Sequence, residues 1–268
     1  MKKETSPKSK ILRKLVIGIA VYCATFLISI ILLKSFSGYL KYGDAMVSVM
    51  ASLIAGAAAF FTITPDEKTT LLYNPKAVFT KKPYYIIIFI LFVILTSYSL
   101  TIIFNFLFSL FPWEKLGNKN IVQDNEAFYG IPLYLRLISY VLIGPFSEEV
   151  LFRGVVFFRF RKVLPALAAS FASALFFGVY HGNLMQGIYA FFMGFVMCLV
   201  MEYGGSFFYA YLFHVIANLI SNLAYEFDNI NNVIYSVPGI IIAAAYLVVA
   251  IILSYVFKHK LTKKDKEC

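Results

Sequence analysis

Long apolar runs, separated by short polar and basic clusters, dominate the pattern of this chain. Eight of these runs have a length that suits a membrane helix. They extend over approximately 13–35, 43–63, 84–111, 131–158, 163–181, 184–203, 206–226 and 234–257. Apolar and polar residues alternate in a membrane β-strand, whereas these runs are continuous. The pattern therefore predicts an all-α, polytopic membrane protein with about eight transmembrane helices.

The composition supports the same fold class. Of the 268 residues, 60% are hydrophobic and 14% are charged. Soluble globular domains have about 45–50% apolar and about 25% charged residues. The excess of apolar residues is too large for one soluble core, so an ordinary soluble domain is excluded.

The net charge of +10 is concentrated between the apolar runs. Basic residues cluster in segments 1–14, 66–82, 159–162 and 258–268. The positive-inside rule places such segments in the cytoplasm, which predicts cytoplasmic N- and C-termini in a multi-pass protein of the cell membrane. Anionic lipid headgroups are the expected partners of these charges, and nucleic acid is not.

The chain divides into three parts of one membrane domain. Residues 1–129 hold the first three predicted membrane helices and the longest outer loop. Residues 130–226 hold helices four to seven, which carry the unusual polar residues, and residues 227–268 hold the last helix and a basic tail. No internal repeat is evident among the three parts.

Three charged residues lie in the fourth apolar run, within "GPFSEEVLFRG". A charged side chain inside a bilayer costs from about 2.5 to more than 10 kcal/mol and usually faces a protein interior. Glu149 and Arg153 are four residues apart, which favours an ion pair within one helix. Glu148 is rotated from Glu149 by about 100°, so its carboxylate leaves the helix in another direction. One acid is therefore predicted to lack a partner on its own helix.

Two later runs supply polar partners for that acid. The fifth run ends in "FFGVYHGN", and Gly182 and Asn183 favour a helix that stops early, next to His181. In the seventh run His214 and Asn218 are four residues apart and share one face. We therefore expect a carboxylate, two imidazoles and an amide to converge from three helices.

This set of groups favours hydrolysis by either of two routes. A carboxylate beside imidazoles can take a proton from water, and a His–Asn pair can donate hydrogen bonds to an oxyanion. Alternatively, a carboxylate and two histidines can hold a catalytic zinc ion with an open water position. Both routes suit a peptide bond in a membrane-embedded substrate, and the residues alone leave both open.

Three motifs resemble those of a known family. "EEVLFR" (148–153), "FGVYH" (177–181) and "HVIAN" (214–218) are similar to the EExxxR, FxxxH and HxxxN motifs of the CPBP family. These are the CAAX-processing and bacteriocin-processing intramembrane proteases, also called the Abi family. The resemblance covers roughly 130–225 and preserves the order of the motifs.

The resemblance implies an eight-helix, glutamate-type intramembrane endopeptidase. It assigns water activation to Glu148 and His181. It assigns stabilisation of the oxyanion to His214 and Asn218. The implied substrate is a membrane-associated peptide or protein.

The resemblance also implies that Glu149 and Arg153 support the catalytic residues. The family is often labelled metalloprotease, although water activation by a glutamate needs no metal. No cofactor is therefore required, and zinc stays an open alternative with Glu148, His181 and His214 as candidate ligands.

Two other functions use the same residues differently. A non-catalytic membrane scaffold, or a bacteriocin-immunity protein, would bind a peptide without cutting it. An ion-coupled transporter would use the glutamates and histidines as a proton or cation path. A transporter often carries an internal repeat, which this sequence does not show.

Overall fold

The computed structural model describes residues 6–39, 41–74, 83–112 and 130–264, and within these ranges all regular structure is helical. The described helices are α1 Pro7–Ser37, α2 Gly43–Phe61, α3 Pro65–Leu72, α4 Pro83–Ser109, α5 133–161, α6 Ala166–Tyr180, α7 Leu184–Gly204, α8 Phe207–Glu226, α9 Asp228–Ile234 and α10 Val237–Lys264. The predicted all-α fold is confirmed for this part of the chain. The predicted outer loop lies largely at 113–129, outside the described residues.

Several helices are long and apolar enough to cross a membrane. Five meet this criterion alone, namely α1, α2, α4, α7 and α8. Together, α9 and α10 form a sixth candidate that is bent by 60°. Length and composition do not identify α5 or α6 as a membrane span. Helix α6 has only 15 residues, and the helical hydrogen bonding of α5 changes along its length. The described residues thus support five or six spans, and the count of eight and the orientation of the termini stay predictions.

Helix α5 is not uniform. It consists of the α-helical segments Leu133–Arg136, Gly144–Glu149 and Phe158–Arg161, separated by the π-helical segments Leu137–Ile143 and Val150–Phe157. Pro145 has no N–H to donate to the preceding turn, which favours a change in helical hydrogen bonding at this place. Short π segments are frequent at functional sites. The two adjacent glutamates lie at the end of the α-helical segment between the two π segments.

The second π segment of α5 is deeply buried. All eight residues of Val150–Phe157 are buried. This segment contacts α1, α2, α6, α7 and α8. A charged residue in this segment, such as Arg153, therefore lies in the protein interior and not in lipid.

One end of the bundle is held by Glu67 of α3. Its carboxylate accepts hydrogen bonds from Lys162 Nζ at 2.7 Å and from the Thr64 N–H at 3.1 Å, while Lys14 Nζ and Arg159 Nη2 lie 3.8 Å away. Burial raises the pKa of the Glu67 carboxyl, but these hydrogen bonds and positive charges outweigh it and lower the pKa to about 2. The ionised carboxylate thereby joins α1, α3 and the end of α5.

Helices α5 and α8 run antiparallel and are linked at several levels. Near one end the Arg136 guanidinium pairs with Glu226. Further along, the Asn218 side-chain amide donates to the Tyr140 carbonyl at 2.8 Å. This pairing sets the register between the two helices and brings His214 beside the glutamates of α5.

Candidate active site

Glu149 and Arg153 form the ion pair that their spacing predicted. The distance from Arg153 Nη1 to Glu149 Oε1 is 2.8 Å, and both side chains are completely buried. The same guanidinium donates to the Gly194 carbonyl of α7 at 3.2 Å and lies 4.6 Å from the centre of the Phe177 ring of α6. The pair is therefore fixed by three helices, which leaves Arg153 little freedom to move.

His214 of α8 binds the same carboxylate. Its Nδ1 lies 2.9 Å from Glu149 Oε1. A carboxylate that is paired with a guanidinium accepts hydrogen bonds, so Nδ1 carries a proton and donates it. This contact was not expected, because helical spacing assigned Glu149 to Arg153 alone and says nothing about neighbouring helices. It turns the other ring nitrogen, Nε2, toward Glu148.

Glu148 differs from its neighbour in environment. Its side chain is 20% exposed, whereas that of Glu149 is fully buried. Glu148 Oε2 lies 3.7 Å from His214 Nε2, which is longer than a direct hydrogen bond. The two carboxylates thus lie beside different nitrogens of the same His214 ring. A water molecule could bond to both Glu148 and His214 at this separation.

The early end of α6 places His181. The helix stops at Tyr180, and the chain turns at Gly182, whose φ of 72° is in the left-handed region that suits glycine. Asn183 then starts α7, because its side chain accepts a hydrogen bond from the Gln186 N–H at 2.8 Å. The predicted helix end is confirmed, and His181 lies in the turn between two helices.

The ring of His181 is oriented by the backbone of its own helix. Its Nδ1 lies 2.8 Å from the Phe177 carbonyl, which can only accept a hydrogen bond, so Nδ1 is the donor. Nε2 of the neutral ring therefore carries a lone pair. The His181 and His214 rings both meet the Phe177 ring edge-on, with centroids 4.8 and 5.8 Å from it.

Asn218 is separated from this cluster by about one helical turn. Its side-chain amide donates to the backbone carbonyl of Tyr140. Its backbone carbonyl accepts a hydrogen bond from the side-chain amide of Asn222 at 2.9 Å. The structure therefore brings together Glu148, Glu149, Arg153 and His214 directly and His181 through Phe177. It places Asn218 next to them on the same face of α8, with one N–H already in use.

The three candidate zinc ligands do not converge as a metal site requires. Within the described residues, no three His, Cys, Asp or Glu side chains lie close enough to hold a metal ion. Nδ1 of each histidine is a donor, to Glu149 in one case and to the Phe177 carbonyl in the other, which leaves Nε2 as the nitrogen that a metal ion would use. Because the three side chains are not grouped closely enough, Glu148, His181 and His214 do not fit zinc in this arrangement.

An open groove lies next to the turn that carries His181. Its volume is about 700 Å³, and it runs between α6 and α7. Val179, Gly182 and Asn183, which flank His181 in sequence, line one end of it, and the remaining lining is largely apolar. The groove offers an apolar surface at the edge of the candidate site.

Sequence reasoning missed two polar residues near this cluster. Tyr22 of α1 and Ser52 of α2 are buried, and their hydroxyls are hydrogen-bonded close to the glutamates. Both residues lie in apolar runs that predict membrane helices and nothing more. A hydroxyl-bearing residue within an apolar run was the signal in the sequence for each of them.

The fold and site define an α-helical, multi-pass integral membrane protein with a buried Glu–Arg–His cluster. Residues 130–220 match the family described as type II CAAX prenyl endopeptidase, Rce1-like. All seven fixed residues of the three motifs lie in the matched segment, which confirms the resemblance to the CPBP family. The matched family is a family of proteases, so the match supports a CAAX-type intramembrane protease. No curated protein and no solved structure matched the chain in the same comparisons.

Proposed function

We propose that this protein is an intramembrane endopeptidase that hydrolyses a peptide bond in a membrane-associated peptide or protein. One observation carries the proposal. Glu148 is the acid whose carboxylate is 3.7 Å from His214 Nε2, too far for a direct hydrogen bond, in a cluster whose other acid, Glu149, is bound directly by Arg153 and His214. Such an acid is available to take a proton from water.

The charges of the cluster indicate its protonation state. The cluster contains two carboxylates, Glu148 and Glu149, and one guanidinium, Arg153, which leaves an excess negative charge while His214 is neutral. A buried cluster is most favourable when it is neutral, and one additional proton on His214 achieves this. In that state His214 Nε2 becomes a donor, as stabilisation of an oxyanion requires.

The reaction then follows from the remaining atoms. Glu148 accepts a proton from a water molecule, whose second O–H is oriented by the lone pair of His181 Nε2. The water oxygen attacks the scissile carbonyl carbon, and the resulting oxyanion accepts hydrogen bonds from His214 Nε2–H and the second N–H of Asn218. When the C–N bond breaks, Glu148 returns its proton to the leaving amine.

The fold supports a position inside the membrane for this chemistry. If α5 and α6 also cross the bilayer, eight crossing helices place both termini on one side, the cytoplasmic side according to the basic segments. The cell membrane is the proposed location. The apolar groove beside His181 would then open to lipid, where a membrane-associated substrate arrives.

The matched family suggests the first substrate to test. A fluorogenic peptide that ends in a prenylated CAAX sequence should be incubated with the purified protein in detergent. A leader peptide, a bacteriocin and a signalling precursor form the comparison panel. Cleavage of any of these by the wild type supports the peptidase, and the preferred one identifies the substrate class.

The decisive control is Glu148→Gln, which keeps the shape of the side chain and removes the base. We expect kcat to fall by about 10²–10⁴-fold. Glu202→Gln is a matched variant, because Glu202 pairs with Arg161 at the surface and away from the cluster. Equal cleavage by wild type and Glu148→Gln would refute the mechanism and favour a non-catalytic scaffold or immunity protein.

A further inference from the structure

Four hydroxyl groups from four helices form a hydrogen-bonded chain beside the candidate site. Tyr180 Oη lies 3.2 Å from Tyr22 Oη, which lies 3.4 Å from Ser52 Oγ. Ser52 Oγ in turn lies 3.2 Å from Ser147 Oγ. We refer to Tyr180, Tyr22, Ser52 and Ser147 as the hydroxyl chain. It connects α6, α1, α2 and α5.

The direction of every hydrogen bond in the hydroxyl chain can be deduced. Ser147 donates to the Ser52 carbonyl, and Ser52 donates to Ser147 Oγ. A hydroxyl has only one proton, so Tyr22 must donate to Ser52 and Tyr180 must donate to Tyr22. All four protons are therefore committed, and none of the four groups can rotate without breaking a bond.

The two ends of the hydroxyl chain are next to the two residues proposed to activate water. Ser147 immediately precedes Glu148, and Tyr180 immediately precedes His181. The Tyr180 ring meets the His181 ring with centroids 5.8 Å apart. The hydroxyl chain thus connects the helix position next to Glu148, the proposed base, with the helix position next to His181, its imidazole partner.

Helices α2 and α5 are in such close contact at Ser147 that the position of α2 affects the position of α5. A Cβ atom added to Gly56 of α2 would lie 2.5 Å from Ser147 Oγ and 3.1 Å from its Cα. Glycine at this position therefore allows the two helices to approach, and Ser147 is completely buried there. Alanine and phenylalanine could fill the same volumes, so close packing alone does not require four hydroxyls.

We propose that the hydroxyl chain is a positioning element for catalysis, through which α1 and α2 fix the separation of Glu148 and His181. The inference rests on the proposed function. Tyr22 and Ser52 lie outside the segment that matches the family, 130–220. On this view the N-terminal helices contribute to the chemistry and do not only anchor the protein.

The test compares two variants, each of which lacks the hydrogen-bonded hydroxyl of one tyrosine. Tyr22→Phe interrupts the hydroxyl chain. Tyr235→Phe removes a comparable bond, since Tyr235 Oη accepts from the Asn105 amide at 2.8 Å away from the site. Cleavage of the best peptide of the panel gives kcat and KM, and thermal unfolding in the same detergent gives Tm.

We expect Tyr22→Phe to lower kcat by about 10- to 100-fold, because misplacement of reacting groups by about 1 Å has effects of this size. KM should change by less than about twofold, since the substrate surface is intact. Tyr235→Phe should lower Tm by a similar amount and leave kcat near the wild-type value. Equal kcat values for the two variants would overturn the inference.

A second pair keeps the test decisive if Tyr22→Phe does not fold. Ser52→Ala removes a hydroxyl and Ser52→Thr keeps it, so Ser52→Thr should retain the higher kcat. Equal kcat values for these two variants would also overturn the inference while leaving the peptidase intact. Equal cleavage by wild type and Glu148→Gln is a different outcome, because it removes the proposed function and this inference with it.

Discussion

Two buried glutamates with cationic partners show how the same residue type serves different purposes. Glu67 is in contact with Lys14, Arg159 and Lys162, so positive charge exceeds negative charge around it. Glu149 pairs with Arg153, and a second acid, Glu148, lies beside the other nitrogen of the His214 ring, so two carboxylates accompany one guanidinium there. An acid with surplus cations stays ionised at neutral pH and ties helices together. In the cluster with surplus anions, Glu148 is the acid proposed to exchange a proton.

Replacement of the unpaired acid should give the largest difference between activity and stability. Glu148→Gln is expected to lower kcat by about 10²–10⁴-fold, because it removes the general base. The 20% exposed side chain makes only a long contact, 3.7 Å from His214 Nε2, so Tm should stay within a few degrees of the wild type. Peptide cleavage and thermal unfolding measure the two effects. A large fall in Tm would show that Glu148 is structural, like Glu67.

Loss of the shared cation should affect folding itself. Arg153→Ala leaves Glu149 buried without its guanidinium, and breaking a buried ion pair in this way costs about 3–5 kcal/mol. Arg153 also donates to the Gly194 carbonyl and packs on Phe177, which adds to the loss. Thermal unfolding in detergent measures the effect. A stable variant would contradict the structural importance of this pair.

Asn218 is expected to have a smaller effect on rate than Glu148. Removal of one oxyanion donor lowers kcat by about 10²–10³-fold in well-ordered sites. In this protein one N–H of Asn218 is already donated to the Tyr140 carbonyl, so we expect Asn218→Ala to lie at the lower end of that range. Steady-state kinetics measure it, with Asn105→Ala as the control amide. An unchanged kcat would remove Asn218 from the site.

The sequence predicted those features that depend on spacing within one helix. The Glu149–Arg153 pair and the end of α6 at Tyr180 both follow from residues that are neighbours along the chain. Contacts between helices, such as that of His214 with Glu149, need the three-dimensional register of α5 and α8. The π-helical segments of α5 leave no periodic signal in a run where nearly every residue is apolar.

Helix α3 was missed for a different reason. Its residues lie in a basic segment that was interpreted only as a cytoplasmic loop. The sequence "TPDE" at 64–67 is a capping box with proline at the first helical position, and the structure contains both of its hydrogen bonds. This local signal was available and would also have indicated Glu67.

The Glu67 cluster provides a prediction about pH. The pKa of Glu67 is lowered to about 2 in the folded protein, from about 4.5 for an unperturbed glutamate. A carboxyl with a lowered pKa stabilises the fold above its unfolded pKa, and this stabilisation is lost as the pH falls from about 4.5 to about 2. Glu67→Gln should therefore reduce Tm at neutral pH and weaken the dependence of Tm on pH in that window. A Tm curve parallel to that of the wild type would contradict the assignment.

The smallest expected effect is that of a metal chelator, and it sharpens the contrast between the two clusters. The candidate ligands Glu148, His181 and His214 do not lie close enough together to hold an ion. We therefore expect cleavage to continue at the wild-type rate in excess chelator, because Glu148 supplies the base without a Lewis acid. Cleavage assays with and without chelator measure this, and a zinc-dependent peptidase in the same buffer serves as the positive control. Loss of activity that added zinc restores would show that the cluster rearranges to bind a metal ion, and the charge balance around Glu148 would then include that ion.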